Sequence, residues 1–532
     1  MEQAGVHGIS FFDSCGTVSG TAYLTVGANN NSEHRKVEEP ELSHRKASSG
    51  YSLVDVIKKS KSYWTNMKQS DRYIFPVYLA LVALISFAYY GPFLHNFFAY
   101  DDFGLLELSA KGPGSVMLGY NYTLRFVNNS VWIPLYAFFG LNPFGYNLFS
   151  LLLWFFNSVL LFRFLRRLLD NSALAALAGL IFCASAAGCD AVFWRAASGT
   201  LLNTTFYLLT LHRYTVFRQT GAVGKWRLSV LFFMLAMFSK EEAASLPMLV
   251  VLLELLFFNG RADLKGVARR VLVFCSVIVG SVLLNYLVIY HVLQVQSELA
   301  HMFAFRPLHS LFSGWTVFFL APDGRLVLQD PRIYLTAVLI PLSFLLVKDR
   351  RLLLFGYGWV FLAFLPQSLS GMSQFGPSDV ISLSLSRHLY LPSAGAAIAY
   401  TALCAGLSER FSTRVALAAA ILFLLLFVPY NFKQISARGE EWLSIGSPME
   451  RFLINVKKIH PQLPANTYVF VVNTPTGRAF IQQALRVFYN NETITYIVDP
   501  KNFHPKPGET ALLFTCHLTP DYDVLVQSSP FP

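Results

Sequence analysis

Runs of about 20 apolar residues recur along this sequence, and no soluble fold can bury so many of them. Tyr73–Phe93, Tyr146–Phe164, Ala173–Phe193, Thr200–Phe217, Val271–Val292 and Leu389–Leu407 are the longest. Shorter runs are Leu228–Phe238, Ala243–Phe258, Ile333–Val347, Leu352–Leu365 and Val415–Tyr430. Only 14% of residues are charged, against about 25% in soluble proteins. The pattern predicts a polytopic all-α membrane domain of about eleven spans.

The connections set the orientation. Lys58, Lys59, Lys61 and Lys68 precede the first run, and Arg166, Arg167, Arg269, Arg270, Arg350 and Arg351 fall on every second connection. The positive-inside rule puts these in the cytoplasm. A net charge of +11 distributed in this way excludes a nucleic-acid reading. Residues 1–70 read as a disordered cytoplasmic tail. Residues 71–430 read as the membrane domain, with a long outer loop at 94–145 and outer segments at 293–331 and 366–387. In the outer loop, Val131–Phe139 reads as an interfacial piece. An odd number of spans places 431–532 outside. There Thr467–Val472, Thr493–Val498 and Ala511–Thr515 read as strands and Arg478–Tyr489 as a helix, together a small α/β domain. The six cysteines form no C-x-x-C pair, so neither zinc nor a disulfide framework is expected.

Four charged clusters from distant parts of the chain share the outer face. They are Asp101/Asp102, Arg125, Lys240/Glu241/Glu242 and Arg387/His388. Lysine and arginine suit phosphate, and a carboxylate suits general-base work on a hydroxyl. Each cluster also has a plainer role open to it: a helix cap, a surface ion pair or a headgroup anchor. Glu254 reads as a residue reaching the cytoplasmic interface.

Four motifs carry a family resemblance, in order. They are A-Y-D-D-F after the first span, F-F-G-L-N-P-F-G-Y-N-L-F-S-L-L-L-W (Phe138–Trp154), F-S-K-E-E-A-A-S-L-P (Phe238–Pro247) and S-R-H-L-Y-L-P-S-A-G (Ser386–Gly395). As an ordered set they resemble the GT-C glycosyltransferases, in particular the protein O-mannosyltransferase and TMTC-type branch with its bacterial relatives. The resemblance implies a polyprenyl- or dolichyl-phosphate sugar as donor and inversion at the sugar carbon. The sugar is a mannose-like hexose or a pentose, and the acceptor hydroxyl lies on protein, lipid or glycan. It implies a catalytic acid at Asp101 or Asp102, donor-phosphate contacts from Arg387, Lys240 and Arg125, and support from Glu241, Tyr390 and His388. No metal and no resident cofactor are implied. Where the family has Pro-Leu after the arginine, Phe126-Val127 follow Arg125, and the acid that leads the last motif is replaced by Ser386. The membrane is a bacterial inner membrane, or the endoplasmic reticulum in a eukaryote. A polyprenyl-linked glycan flippase and a GT-C-like protein without activity are the competing readings. The flippase requires charges along a path through the mid-membrane, where the apolar runs hold few.

Overall fold

A computed structural model describes residues 73–118, 124–258, 260–288, 332–369, 387–474, 478–497, 503–518 and 524–530. The expected tail 1–70, the outer segment 293–331 and most of 366–387 lie outside the described residues.

Helix α1 (Tyr73–Phe93) is followed by α2 (Asp102–Lys111), α3 (Pro113–Leu118) and α4 (Phe126–Phe139). Helices α5 (Pro143–Leu169), α6 (Ser172–Ala184), α7 (Asp190–Phe193) and α8 (Ser198–Thr220) come next. They are followed by α9 (Val223–Met237), α10 (Leu246–Phe257), α11 (Leu264–Tyr286), α12 (Arg332–Leu346) and α13 (Arg351–Leu369). The last two before the sheet are α14 (Tyr390–Arg410) and α15 (Thr413–Ile459). Five described helices are long and apolar enough to cross a membrane: α1, α5, α11, Arg387–Arg410 and α15. Ser172–Ala184 and Arg351–Pro366 are shorter apolar helices. The chain is a multi-pass membrane protein, and the expected count of about eleven spans stays a sequence-based figure.

Two expected spans differ from the helices found. Ala173–Phe193 is broken: α6 ends at Ala184, and Gly188 turns the chain with φ +83°. A Cβ at Gly188 would lie 2.6 Å from the Tyr390 backbone, so glycine permits both the turn and the close approach. The break frees Asp190 for a polar contact that an unbroken apolar helix would deny it. The run Val415–Tyr430 is only the first part of α15, which continues to Ile459. At 1.5 Å per residue this helix is about 70 Å long, more than twice the hydrocarbon core of a bilayer.

The far part of α15 buries Met449, Phe452, Leu453 and Val456 with the core of the C-terminal sheet. That sheet has the order β2-β1-β3-β4, with β1 Thr467–Val472, β2 Thr495–Tyr496, β3 Thr510–Leu518 and β4 Val524–Pro530. β1 runs parallel to β2 and β3, and β4 is antiparallel to β3. Helix α16 (Arg478–Tyr489) supplies Ile481, Ala484 and Leu485 to the same core. Its Arg486 reaches Glu107 of α2 at 3.2 Å, which docks the domain on the helix that follows Asp101.

Glu254 does not reach an interface. It is fully buried, with Arg218 Nε at 2.7 Å, Arg270 Nη2 at 3.1 Å and the Tyr214 hydroxyl donating to it. The two arginines come from α8 and α11, so the carboxylate joins three helices where an isolated charge would be costly.

Candidate active site

The loop after α1 divides its two carboxylates. Tyr100 takes φ +49°, a left-handed conformation uncommon for a non-glycine residue. The tight turn is closed by Asp102 N–H donating to the Ala99 carbonyl at 3.1 Å. The Asp102 side chain turns back into the protein and has no exposed surface. It accepts from Ala99 N at 3.0 Å, Ala196 N at 2.8 Å and Arg195 Nη1 at 3.2 Å. Burial pushes the Asp102 carboxyl above its usual value, while Arg195 and the two backbone donors pull against that shift. Burial likewise lowers Arg195, against the pull of Asp102. Asp101, next to this anchored residue, is half-buried and its side chain caps no helix N–H.

Arg195 ties together three pieces of chain. Its Nε donates to Asn147 Oδ1 at 2.9 Å, its Nη2 donates to the Asn96 carbonyl, and its guanidinium lies 5.6 Å from the Phe98 ring. Asn147, in the first turns of α5, donates in turn to the carbonyls of Leu94 and Asn96 at 2.9 and 3.1 Å.

The Ser239–Glu242 turn alternates. Lys240 and Glu242 point inward, with Lys240 Nζ 2.9 Å from Glu242 Oε1. Nζ also donates to Thr200 Oγ1 at 2.7 Å and lies 3.2 Å from His388 Nδ1, which itself meets Glu242 Oε1. Burial takes the Lys240 ammonium down to about 8, with Glu242 opposing. Burial alone would raise Glu242, but the charges of Lys240 and His388 win and hold it at about 2. Glu241 points outward to a two-bond contact with Arg125, at 2.7 Å from Nη2 and 3.2 Å from Nε. The turn presses on the start of α8 at Gly199, where a Cβ would lie 2.9 Å from the Ser239 carbonyl oxygen.

Arg387 completes this face. It is half-buried, and its guanidinium lies 4.3 Å from the centre of the Trp194 ring. Arg125, Glu242, Asp101 and Asp190 are its electrostatic neighbours, yet among the described residues no carboxylate pairs with it. Tyr390, three residues on, lies elsewhere. It is fully buried in the helix core, 4.7 Å from the Trp154 ring and 5.1 Å from Phe182.

The structure therefore brings Asp101, Arg387, Lys240, His388, Glu241 and Arg125 to one end of the helices and leaves Tyr390 in the core. It adds residues that the motifs did not single out. Asp190, fully buried, accepts from Arg438 Nε and Nη2 at 3.0 and 2.9 Å and from Trp442 Nε1 at 2.7 Å. On the same stripe of α15, Asn431 Oδ1 accepts from Ala186 N at 2.7 Å. Tyr100 packs against Trp194, Trp442 and Phe480, with ring centres 6.1, 6.1 and 5.8 Å away. The signals were present but weak. Arg195 is a lone cation on the arginine-poor side, and Asp190 is a carboxylate within an apolar run. Among the described residues, no three His, Cys, Asp or Glu side chains gather to hold a metal ion.

No family model matches the chain, and no curated protein matches it. Solved structures are similar to it. The apo structure of ArnT from Cupriavidus metallidurans shares 14% identity over 84% of this chain and 93% of its own, with a TM-score of 0.49. The same protein bound to undecaprenyl phosphate shares 13% identity over 84% and 97%, with a TM-score of 0.48. The archaeal oligosaccharyltransferase AglB from Archaeoglobus fulgidus, in complex with an inhibitory peptide and a dolichol-phosphate, shares 11% identity. There the match covers 80% of this chain but 64% of the archaeal one, with a TM-score of 0.44.

Proposed function

We propose that the chain is a GT-C membrane glycosyltransferase that moves a sugar from a polyprenyl phosphate to an acceptor hydroxyl outside the cytoplasm. One observation carries this reading. A half-buried carboxylate, Asp101, and a half-buried guanidinium, Arg387, which has no ion-pair partner among the described residues, share one end of the helices.

In this reading the acceptor oxygen attacks the anomeric carbon as the bond from that carbon to the phosphate oxygen breaks. The electron pair leaves with the polyprenyl phosphate, which gains one negative charge. The hydroxyl proton goes to Asp101. A positioned general base typically contributes 10²–10⁴-fold. Arg387, stacked on Trp194, takes the phosphate as a planar donor. Lys240 stands behind it as a buried charge held by Glu242, and Arg125 adds positive field from the rim. Asp102 positions the loop. The sugar, a hexose or a pentose, and the acceptor, on protein, lipid or glycan, are to be found by assay. Residues 431–532 lie on the acceptor side of the membrane.

The test uses purified full-length chain, a panel of polyprenyl-phosphate sugars and mass-spectrometric detection of released polyprenyl phosphate. Release that depends on Asp101 and Arg387 supports the proposal. Movement of intact lipid-linked sugar across a vesicle bilayer, without release, would support the flippase instead.

A further inference from the structure

At the end of the helices remote from Asp101, basic side chains gather, and among the described residues they have no counter-ions. Arg163 and Arg167 come from α5, His212 and Arg213 from α8, and Lys225 from α9. The charges of Arg213, Arg163, Arg167 and Lys225 all bear on the His212 ring. The grouping is held by the fold: Gln219 Nε2 donates to the Arg167 carbonyl at 2.9 Å, and Ser229 Oγ donates to the Thr210 carbonyl at 3.1 Å. None of these four cations forms an ion pair among the described residues, whereas nearby Arg218 and Arg270 are both paired with Glu254. Two nitrogens of the group, His212 Nδ1 and Arg213 Nε, are buried with no hydrogen-bond partner among the described residues. A buried donor left open costs free energy unless something outside the chain meets it.

The surface above the cluster identifies the class of ligand. Leu152 and Phe156 of α5 are 38% and 51% exposed. At 100° per residue, Leu152, Phe156, Arg163 and Arg167 fall on one face of that helix. An apolar stripe thus leads along a membrane-spanning helix to two arginines. This is the shape of an acyl chain and an anionic headgroup, and basic pockets between helices on the cytoplasmic side suit such headgroups.

We propose that Arg163, Arg167, His212 and Arg213, with Lys225, bind the phosphate of an anionic phospholipid whose chain lies along Leu152 and Phe156. The site is separate from the outer one, and its test does not read sugar transfer. The full-length chain is purified from mixed micelles of phosphatidylglycerol and phosphatidylcholine, and retained lipid is counted by native mass spectrometry. The wild type is expected to retain phosphatidylglycerol over phosphatidylcholine by about tenfold or more. The double variant Arg163→Gln/Arg167→Gln, with unchanged thermal unfolding, is expected to lose that preference. Arg269→Gln/Arg350→Gln, which removes two exposed arginines elsewhere, is expected to keep it. Equal retention of the two lipids, or an unchanged preference in the Arg163/Arg167 variant, would overturn the site. Displacement of the lipid by millimolar inorganic phosphate would assign the cluster to a soluble anion and overturn the lipid proposal. If the double variant unfolds, Arg213→Gln is read in its place against the same two outcomes.

Discussion

Arg195 and Asp102 form an ion pair closed to solvent, 3.2 Å from Nη1 to Oδ2, with side chains 2% and 0% exposed. Both Asp102 oxygens are used, one by Ala196 N and the other by Ala99 N and Arg195. The pair fixes the turn that carries Tyr100 and Asp101. Adjacent carboxylates thereby differ in burial, Asp102 closed to solvent and Asp101 half-buried.

The first prediction separates the two. Asp101→Asn should lower transfer by about 10²–10⁴-fold and leave thermal unfolding unchanged. Asp102→Asn should leave the Arg195 charge uncompensated, at a cost of about 3–5 kcal/mol, and reduce the yield of folded protein. Parallel kinetics and unfolding curves for the two variants check this. The reverse pattern would exchange their roles.

Arg387 is predicted to act on the donor. Arg387→Gln should reduce donor use by about ten- to a hundred-fold, the worth of a charged hydrogen bond. Arg387→Lys should recover part of the loss, because it restores charge without the planar stack on Trp194. Donor titrations at fixed acceptor decide it, and a change confined to the acceptor KM would remove the assignment.

Lys240 supplies a pH dependence. Its folded value, about 8, lies below the ordinary 10.5, so the unfolded chain binds more protons between those values. The contribution of this group to stability therefore rises with pH through that window and is lost as pH falls through 8. Its charge beside Arg387 disappears over the same range. Transfer should decline above about pH 8 while the fold holds, and Lys240→Met should lower the rate and abolish that decline. An alkaline limb unchanged in Lys240→Met would show that another group titrates.

Glu254 makes a prediction at the other end of the helices. Replacing it with Gln leaves Arg218 and Arg270 beside each other without their shared carboxylate, at a cost of about 3–5 kcal/mol. Thermal unfolding should fall, while the turnover of the surviving folded protein should match the parent. A lowered turnover at unchanged stability would place Glu254 in the chemistry.

The sequence showed what periodicity and charge can show. Residue bounds for β1 and α16 agree with the expected runs, because β1 is a short run of β-branched and aromatic residues and α16 an amphipathic repeat. β4 was missed: V-L-V-Q-S-S-P is apolar only in its first half and ends in proline, which only an edge strand tolerates. The end of α15 was missed because a test of apolar length stops at Tyr430, where the helix passes from apolar to mixed sequence without breaking. In the site, the lone cations and the Asp101-Asp102 pair were legible as charges out of place. Which of the two aspartates is buried was not, since that depends on Arg195, 93 positions away. The partnership of Asp190 with Arg438, 248 positions apart, was hidden for the same reason.

Helix α15 has one further consequence. Asn431, Ile435, Arg438 and Trp442 follow one another at spacings of four, three and four along a helix without a break. The membrane part, the contacts to Ala186 and Asp190, and the sheet are therefore threaded on one screw. A residue added to a loop changes its slack, but one added here advances everything beyond it by about 1.5 Å and turns it by about 100°. A single alanine inserted after Gln434 would leave Asn431 on Ala186 and swing Arg438 and Trp442 off Asp190. Seven added residues would bring the azimuth back to within about 20° and lift the sheet by about 10 Å. That height takes Arg438 and Trp442 off Asp190 and Arg486 off Glu107, so no insertion in this helix restores azimuth and height together.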